Sequence, residues 1–193
     1  MKKEKSLKSI VYHSILDGII RDEYKPNQII NEQELVDKFG CSKSPVREAL
    51  IALCNEGVVK NIPRYGYEVI RLTHTDVEQI LNYRSILEGG YLRQCYQNIT
   101  DKQFDILAEL NELCNISSDD MWSHWEHNKN FHLQLLSFSN NSYAYEQLQK
   151  SMDILKRAYA QFYWDKWDST DLPTDMKCHE PVSYTHLQIS ILH

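Results

Sequence analysis

Ser42-Lys43-Ser44-Pro45-Val46-Arg47-Glu48-Ala49-Leu50 is the stretch whose reading decides the fold. Ser44 is placed to cap the first turn of a helix, and Pro45 follows where a missing N–H costs nothing. Val46, Ala49, Leu50 and Leu53 recur at i, i+3, i+4 and i+7 and make one apolar face. Lys43, Ser44 and Arg47 fall off that face at the N-terminal end. In a helix-turn-helix, that end of the second helix meets base edges and phosphates. These nine residues read equally well as an ordinary amphipathic helix with two solvated cations, so the flanks must separate the two readings.

Upstream, Leu7, Val11, Ile15 and Ile19, joined by Ile10, predict a helix from Ser6 to about Arg21. Tyr24-Lys25-Pro26-Asn27 ends it in a turn. Asn31 is an N-cap with Glu34 three residues on, close to a capping box. Leu35, Val36 and Phe39 form the inner side of this second helix, and Gly40 supplies a left-handed stop. Two helices joined by a short Gly-containing turn are the helix-turn-helix pattern. Downstream, Gly57 ends the third helix, Val58 to Ile62 reads as a strand, Pro63-Arg64-Tyr65-Gly66 as a turn and Tyr67 to Ile70 as a returning strand. Three helices and a two-stranded hairpin make a winged helix-turn-helix. Arg64 at the tip is placed to reach a minor groove or a phosphate; the alternative is a solvated turn.

The charge follows the same division. Residues 1–74 carry 12 Lys and Arg against 10 Asp and Glu, a net of +2, and residues 75–193 carry 9 against 17, a net of −8. A mildly basic first part precedes an acidic second, so local placement of charge has to carry any nucleic-acid binding. The 193 residues, 42% apolar and 25% charged, suit one large or two small globular domains. No apolar run approaches the roughly 18 residues that span a bilayer. Five cysteines, odd in number and without a close pair, fit a reduced cytoplasmic interior better than a disulfide framework or a thiolate metal site.

From Thr75 onward every segment reads as helix. Val77, Ile80, Leu81, Arg84, Leu87 and Glu88 belong to one running to about Tyr96; Thr100-Asp101 caps the next, with Phe104, Leu107, Leu110 and Leu113 inward. Ser118 or Asp119 opens a third, through Trp122, Trp125 and Phe131 to about Ser139, and Ser142 a fourth, with Leu148, Met152, Leu155 and Tyr159, ending near Trp164. Asp168 to Thr174 is expected as a loop, and a fifth helix near Asp175. The expected architecture is mainly α, with a winged helix-turn-helix over 1–74 followed by an all-α bundle over 75–180. Such bundles build ligand sites from side chains on facing helices. Trp122, Trp125, Tyr159, Phe162, Tyr163, Trp164 and Trp167 read as core and rim packing.

Glu34-Leu35-Val36, Gly40 through Leu50, Leu53, Glu56-Gly57 and Arg64-Tyr65-Gly66 together resemble the winged helix-turn-helix of the GntR family of bacterial transcription regulators, over roughly residues 7–72. The resemblance implies DNA contacts from Lys43, Ser44 and Arg47 in the recognition helix and from Gly66 in the wing, beside Arg64. Two departures matter: the family usually has Arg where Lys43 stands, and many members have Arg where Gln33 stands. Lys cannot make the two-pronged contact with guanine that Arg makes, so affinity or operator sequence should differ.

Arg84-x2-Leu87-Glu88, Asn128-x2-Phe131-His132, Ser139-Asn140-Asn141 and His179-Glu180 resemble the FCD effector domain of the FadR branch of that family. The resemblance implies a small organic-acid effector, often with a divalent metal such as zinc, and carries two metal ligands onto His132 and His179. Asn128 stands where many members have Asp; it shares a helix face with His132 but is a poorer ligand than a carboxylate. Arg84 is placed to pair an effector carboxylate, or else to bridge to Glu88 four residues on. His124 lies a further turn back and matches no motif. Pro181 to Leu187 reads as a non-native tail over 181–193, so the effector domain is expected to lack its last helix and third histidine, with His186 and His193 no substitutes.

The resulting expectation is a cytoplasmic, homodimeric transcription regulator, in the manner of a repressor, and not an enzyme. It binds double-stranded operator DNA under the control of a small metabolite. The rivals are a regulator whose bundle only dimerises, and a metal-dependent helical enzyme. The latter lacks an obvious general base or nucleophile pair.

Overall fold

The computed structural model describes residues 6–116 and 121–164, which divide into two compact units. Unit 1 comprises residues 6–73 together with 157–164, and unit 2 residues 74–116 and 121–156. The expected loop over Asp168 to Thr174, the helix near Asp175, His179, the caps Ser118 and Asp119 and the tail all lie outside the described residues.

Unit 1 opens with α1 (Leu7–Ile20), capped by Ser6, whose side chain accepts from the Ser9 N–H at 3.2 Å. Val11 and Ile15 are its core residues, with Ile19 packed beside them, whereas Leu7 and Ile10 are exposed. The expected stripe therefore holds only from Val11 onward: Leu7 lies in the first turn, beyond the core, and Ile10 stands about 100° off the Val11 direction. A turn over Lys25–Gln28, with Pro26 second and Asn27 at φ 66°, leads to a short strand β1 (Ile29–Ile30). Helix α2 (Glu32–Phe39) is capped by Asn31 Oδ1, which accepts from the Gln33 N–H at 2.7 Å, and stopped by Gly40 at φ 57°. Helix α3 (Lys43–Asn55) buries Val46, Ala49, Leu50 and Leu53, the face its spacing dictates.

The hairpin pairs β2 (Val59–Ile62) with β3 (Gly66–Val69), and β3 also pairs with β1, giving an antiparallel sheet of order β1-β3-β2. The two strands read from the sequence thus gain a third, which at two residues is too short to carry a periodicity. Unit 1 also holds the end of the chain's last described helix, α7 (Ser142–Trp164). Gln161 there brackets the backbone of Leu72: its Nε2 donates to the Leu72 carbonyl at 2.7 Å and its Oε1 accepts from the Leu72 N–H at 3.0 Å. Arg157 Nη1 donates to the Gly57 carbonyl at 3.0 Å.

Unit 2 is helical throughout its described residues. Helix α4 (His74–Cys95) ends in a 3-10 turn (Tyr96–Asn98). Helix α5 (Asp101–Ile116) starts from a capping box in which the Thr100 N–H donates to Gln103 Oε1 at 2.9 Å and the Gln103 N–H to Thr100 Oγ1 at 3.4 Å. Its inward residues are Leu107, Leu110 and Cys114; Leu113, expected inward, is exposed. At about 100° per residue Cys114 returns to the Leu107 direction and Leu113 does not. Helix α6 (Met121–Ser137) packs Phe131 and Leu135 onto α5, and α7 contributes Ala144, Leu148, Met152 and Leu155. Asn140 at φ 53° reverses the chain, and Asn141 caps α7 by accepting from the Ala144 N–H at 2.9 Å. No helix of the described residues is long and apolar enough to cross a membrane.

Candidate nucleic-acid interface and buried polar site

The recognition-helix residues singled out from the sequence, Lys43, Ser44 and Arg47, are all exposed at the start of α3. The cap differs from expectation. Ser42 is the N-cap, Pro45 occupies the third helical position, and Ser44 lies inside the first turn, where its Oγ donates to Glu48 Oε1 at 3.0 Å. Pro45 is still tolerated, because the first turn's N–H groups have no intrahelical acceptor. Arg47 reaches back to α2: its Nε donates to Glu32 Oε2 at 3.2 Å and its Nη2 to Oε1 at 2.9 Å. The bonds and charge of Glu32 raise the Arg47 pKa. Glu32 itself sits in the first turn of α2, where the helix end favours an anion. Gln33, at the position where Arg is common, donates to Asp37 on its own helix at 3.0 Å.

In the wing, the Tyr65 N–H donates to the Ile62 carbonyl at 3.0 Å, closing a turn with Pro63 second and Arg64 third at φ 72°. This is the geometry that glycine or asparagine normally fills. Asn27 does so in the other Pro turn, but here an exposed Arg holds the left-handed conformation. Gly66 has a structural reason to be glycine. At φ 133°, a Cβ there would lie 2.5 Å from the Ile30 carbonyl oxygen, so only glycine lets β1 close against the hairpin. Lys60 and Glu68, paired in register, bridge at 2.9 Å on the hairpin.

In unit 2, one side chain missed as a site residue in its own right joins two that were named. Arg84 Nε donates to Glu88 Oε1 at 2.9 Å, and His132 Nδ1 lies 2.5 Å from Glu88 Oε2. The Arg84, Glu88 and His132 side chains are 5%, 14% and 7% exposed. Burial pushes the Glu88 carboxyl up, but His132 and Arg84 outweigh it and hold the pKa down to about 2. Glu88 is therefore a buried anion between two donors. The signal is present in the sequence as the i, i+4 spacing from Arg84; what the spacing lacks is the reach across to α6. Asn128, one turn before His132, is buried on the same helix.

The other α6 histidines have different work. His124 Nδ1 lies 3.0 Å from the Cys114 carbonyl and His127 Nδ1 3.0 Å from the Leu113 carbonyl, so both serve the C-terminal end of α5, where carbonyls lack helical partners. Because Nδ1 of His132 is taken by Glu88, metal ligation would fall to Nε2, with Glu88 as the orienting carboxylate behind it. Among the described residues, however, no three His, Cys, Asp or Glu side chains are grouped to hold a metal. One imidazole and a neutral amide fall short of the three protein ligands a zinc site takes, and His179 lies outside the described residues.

Two family models match the chain: bacterial regulatory proteins of the gntR family over residues 7–69, and the FCD domain over residues 79–182. The uncharacterized HTH-type transcriptional regulator YdhC of Bacillus subtilis is 29% identical over 147 residues, covering 75% of this chain and 66% of that protein, a little under two thirds of its length. The Nta operon transcriptional regulator of Aminobacter aminovorans is 28% identical over 160 residues, 81% of this chain and 73% of that protein. Other relatives carry the name repressor, including GlaR and RspR of Escherichia coli. A GntR-type regulator from Rhodococcus sp. RHA1 shares the fold at a TM-score of 0.68 and 18% identity, over 96% of this chain and 90% of that one. These relatives are transcription regulators, not enzymes. The chain belongs to the GntR family of bacterial regulatory proteins, in the branch that carries an FCD domain, and is a DNA-binding transcription regulator.

Proposed function

We propose that this chain is a repressor-type regulator that binds a pseudo-palindromic operator as a homodimer in the cytoplasm and releases it when a small organic acid binds in unit 2. Lys43, Ser44 and Arg47 supply contacts in the major groove, and Arg64 and the backbone at Gly66 those of the wing. Arg84 and Asn128 receive the effector. The observation that carries the effector half is the Arg84–Glu88–His132 line, three ionisable groups held inside a helical unit. Burying charge costs stability that apolar packing would not, so a bundle serving only to dimerise has no use for it. An incoming carboxylate has a ready partner in Arg84, in exchange for Glu88. The relatives' names support the repressor reading, one being a gluconate operon repressor of Bacillus licheniformis.

The effector acts by binding one arrangement of the protein better than the one that fits DNA; its differential affinity is the whole of the switch. A divalent metal held by His132, His179 and Asn128 is a separate proposal, supported by Glu88 behind the imidazole, and no step above passes through it. The test is thermal unfolding of the full chain against a panel of mono-, di- and tricarboxylic acids and sugar acids. A true effector at a hundred times its Kd stabilises by about 2.7 kcal/mol. It also releases a bound operator duplex, and Arg84→Met removes both effects. Stabilisation by none of the acids, with operator binding intact, would leave a regulator whose bundle only dimerises.

A further inference from the structure

We infer that Glu32 is a positioning residue for DNA binding, which grips Arg47 side-on and leaves the other edge of its guanidinium facing the duplex. This rests on the reading of α3 as the recognition helix. A guanidinium has two forks: one formed by Nε with Nη2, the other by Nη1 with Nη2. Glu32 occupies the first, at 3.2 and 2.9 Å. The second fork belongs to a side chain that is 59% exposed, while its carboxylate partner is 20% exposed. That end-on fork matches a partner with two acceptors side by side, either the O6/N7 edge of guanine or two oxygens of a phosphate.

An acid on this face needs a reason. DNA is a polyanion, and a carboxylate beside the recognition helix weakens binding unless its hold on a cation returns more than the repulsion removes. Glu32 is seated to do so. Asn31 caps the helix that carries it, the N-terminal end of α2 favours its charge, and the buried Tyr67 lies within its field, its pKa raised by burial and then by Glu32. Without Glu32, Arg47 is a long side chain with many rotamers, and ordering it on the duplex costs entropy at the moment of binding. With Glu32, that ordering precedes the encounter.

The test is a double-mutant cycle on the full chain. A duplex is first selected by the wild-type chain from a random pool. Its affinity is then measured by fluorescence anisotropy at one salt concentration for wild type, Glu32→Gln, Arg47→Ala and the pair. The expected result is a loss of about 10-fold for Glu32→Gln when Arg47 is present, and no loss or a slight gain when Glu32→Gln is added to Arg47→Ala. Glu32→Asp keeps the charge but shortens the reach, and should also weaken binding, which charge alone does not predict. Replacing guanine by 7-deazaguanine in the duplex distinguishes the acceptors, weakening the wild type only if a guanine edge takes the fork. Equal tightening by Glu32→Gln in both backgrounds would overturn the inference, making Glu32 a repelling charge and nothing more. A wild-type chain that selects no duplex would remove the recognition-helix reading itself.

Discussion

Among the described residues, two arginine–glutamate pairs have nearly equal bond length and opposite setting. Arg47–Glu32 closes at 2.9 Å with the arginine 59% exposed; Arg84–Glu88 closes at 2.9 Å with the arginine 5% exposed. Water screens the first, so it stabilises the fold little. The second is largely out of water, and removing Arg84 leaves Glu88 with one donor fewer. The same chemistry is therefore a solvent-screened contact in unit 1 and a desolvated one in unit 2. On the function proposed above, the first meets DNA and the second senses a ligand.

The largest effect on stability is expected from Arg84→Met. Glu88 then keeps a buried charge with one partner fewer, and the loss should reach about 3–5 kcal/mol by denaturant titration. Arg47→Ala should leave the thermal midpoint within about 2 °C of wild type. Its cost appears in binding, as a loss of about 10-fold or more for a selected duplex and a salt slope smaller by about one ion. If Arg47→Ala were the destabilising change and Arg84→Met the silent one, the contrast between the pairs would be wrong.

A smaller effect, at the wing, refines the contrast between residues that hold the fold and residues that meet DNA. Glycine suits φ 72°, so Arg64→Gly should be more stable by about 1 kcal/mol while binding the duplex less tightly. A residue kept in a strained conformation at some cost to the fold is expected where its side chain is used. An unchanged affinity would make Arg64 a solvated turn residue after all.

The two units are not equally legible in the sequence. Unit 1 declares itself through local chemistry: Asn31 and Gly40 bracket α2, the 46/49/50/53 spacing sets the buried face of α3, and Pro63 marks the hairpin turn. Within residues 6–73 its misses are also local, namely the identity of the α3 cap and a two-residue strand whose existence depends on β3. Unit 2 yields its helices to a reading of periodicity but not its centre. The Glu88–His132 bond spans 44 residues, and the donation of Gln161 to Leu72 in unit 1 spans 89. No periodicity encodes such pairings, because each side satisfies its own helix first and finds its partner only on packing. His124 and His127 teach the same lesson: as residues they suggest ligands, and as folded they cap the end of α5.

An effector-controlled operator binder is tested at its root by selecting a random duplex pool on the full chain, then eluting with a mixture of carboxylic and sugar acids. The expected outcome is enrichment of a pseudo-palindromic site with half-sites about one helical turn apart. The acids should release that site from wild type and not from Arg84→Met. Enrichment of a site that every acid leaves bound, or that elutes equally from Arg84→Met, would contradict the assignment of the effector to unit 2.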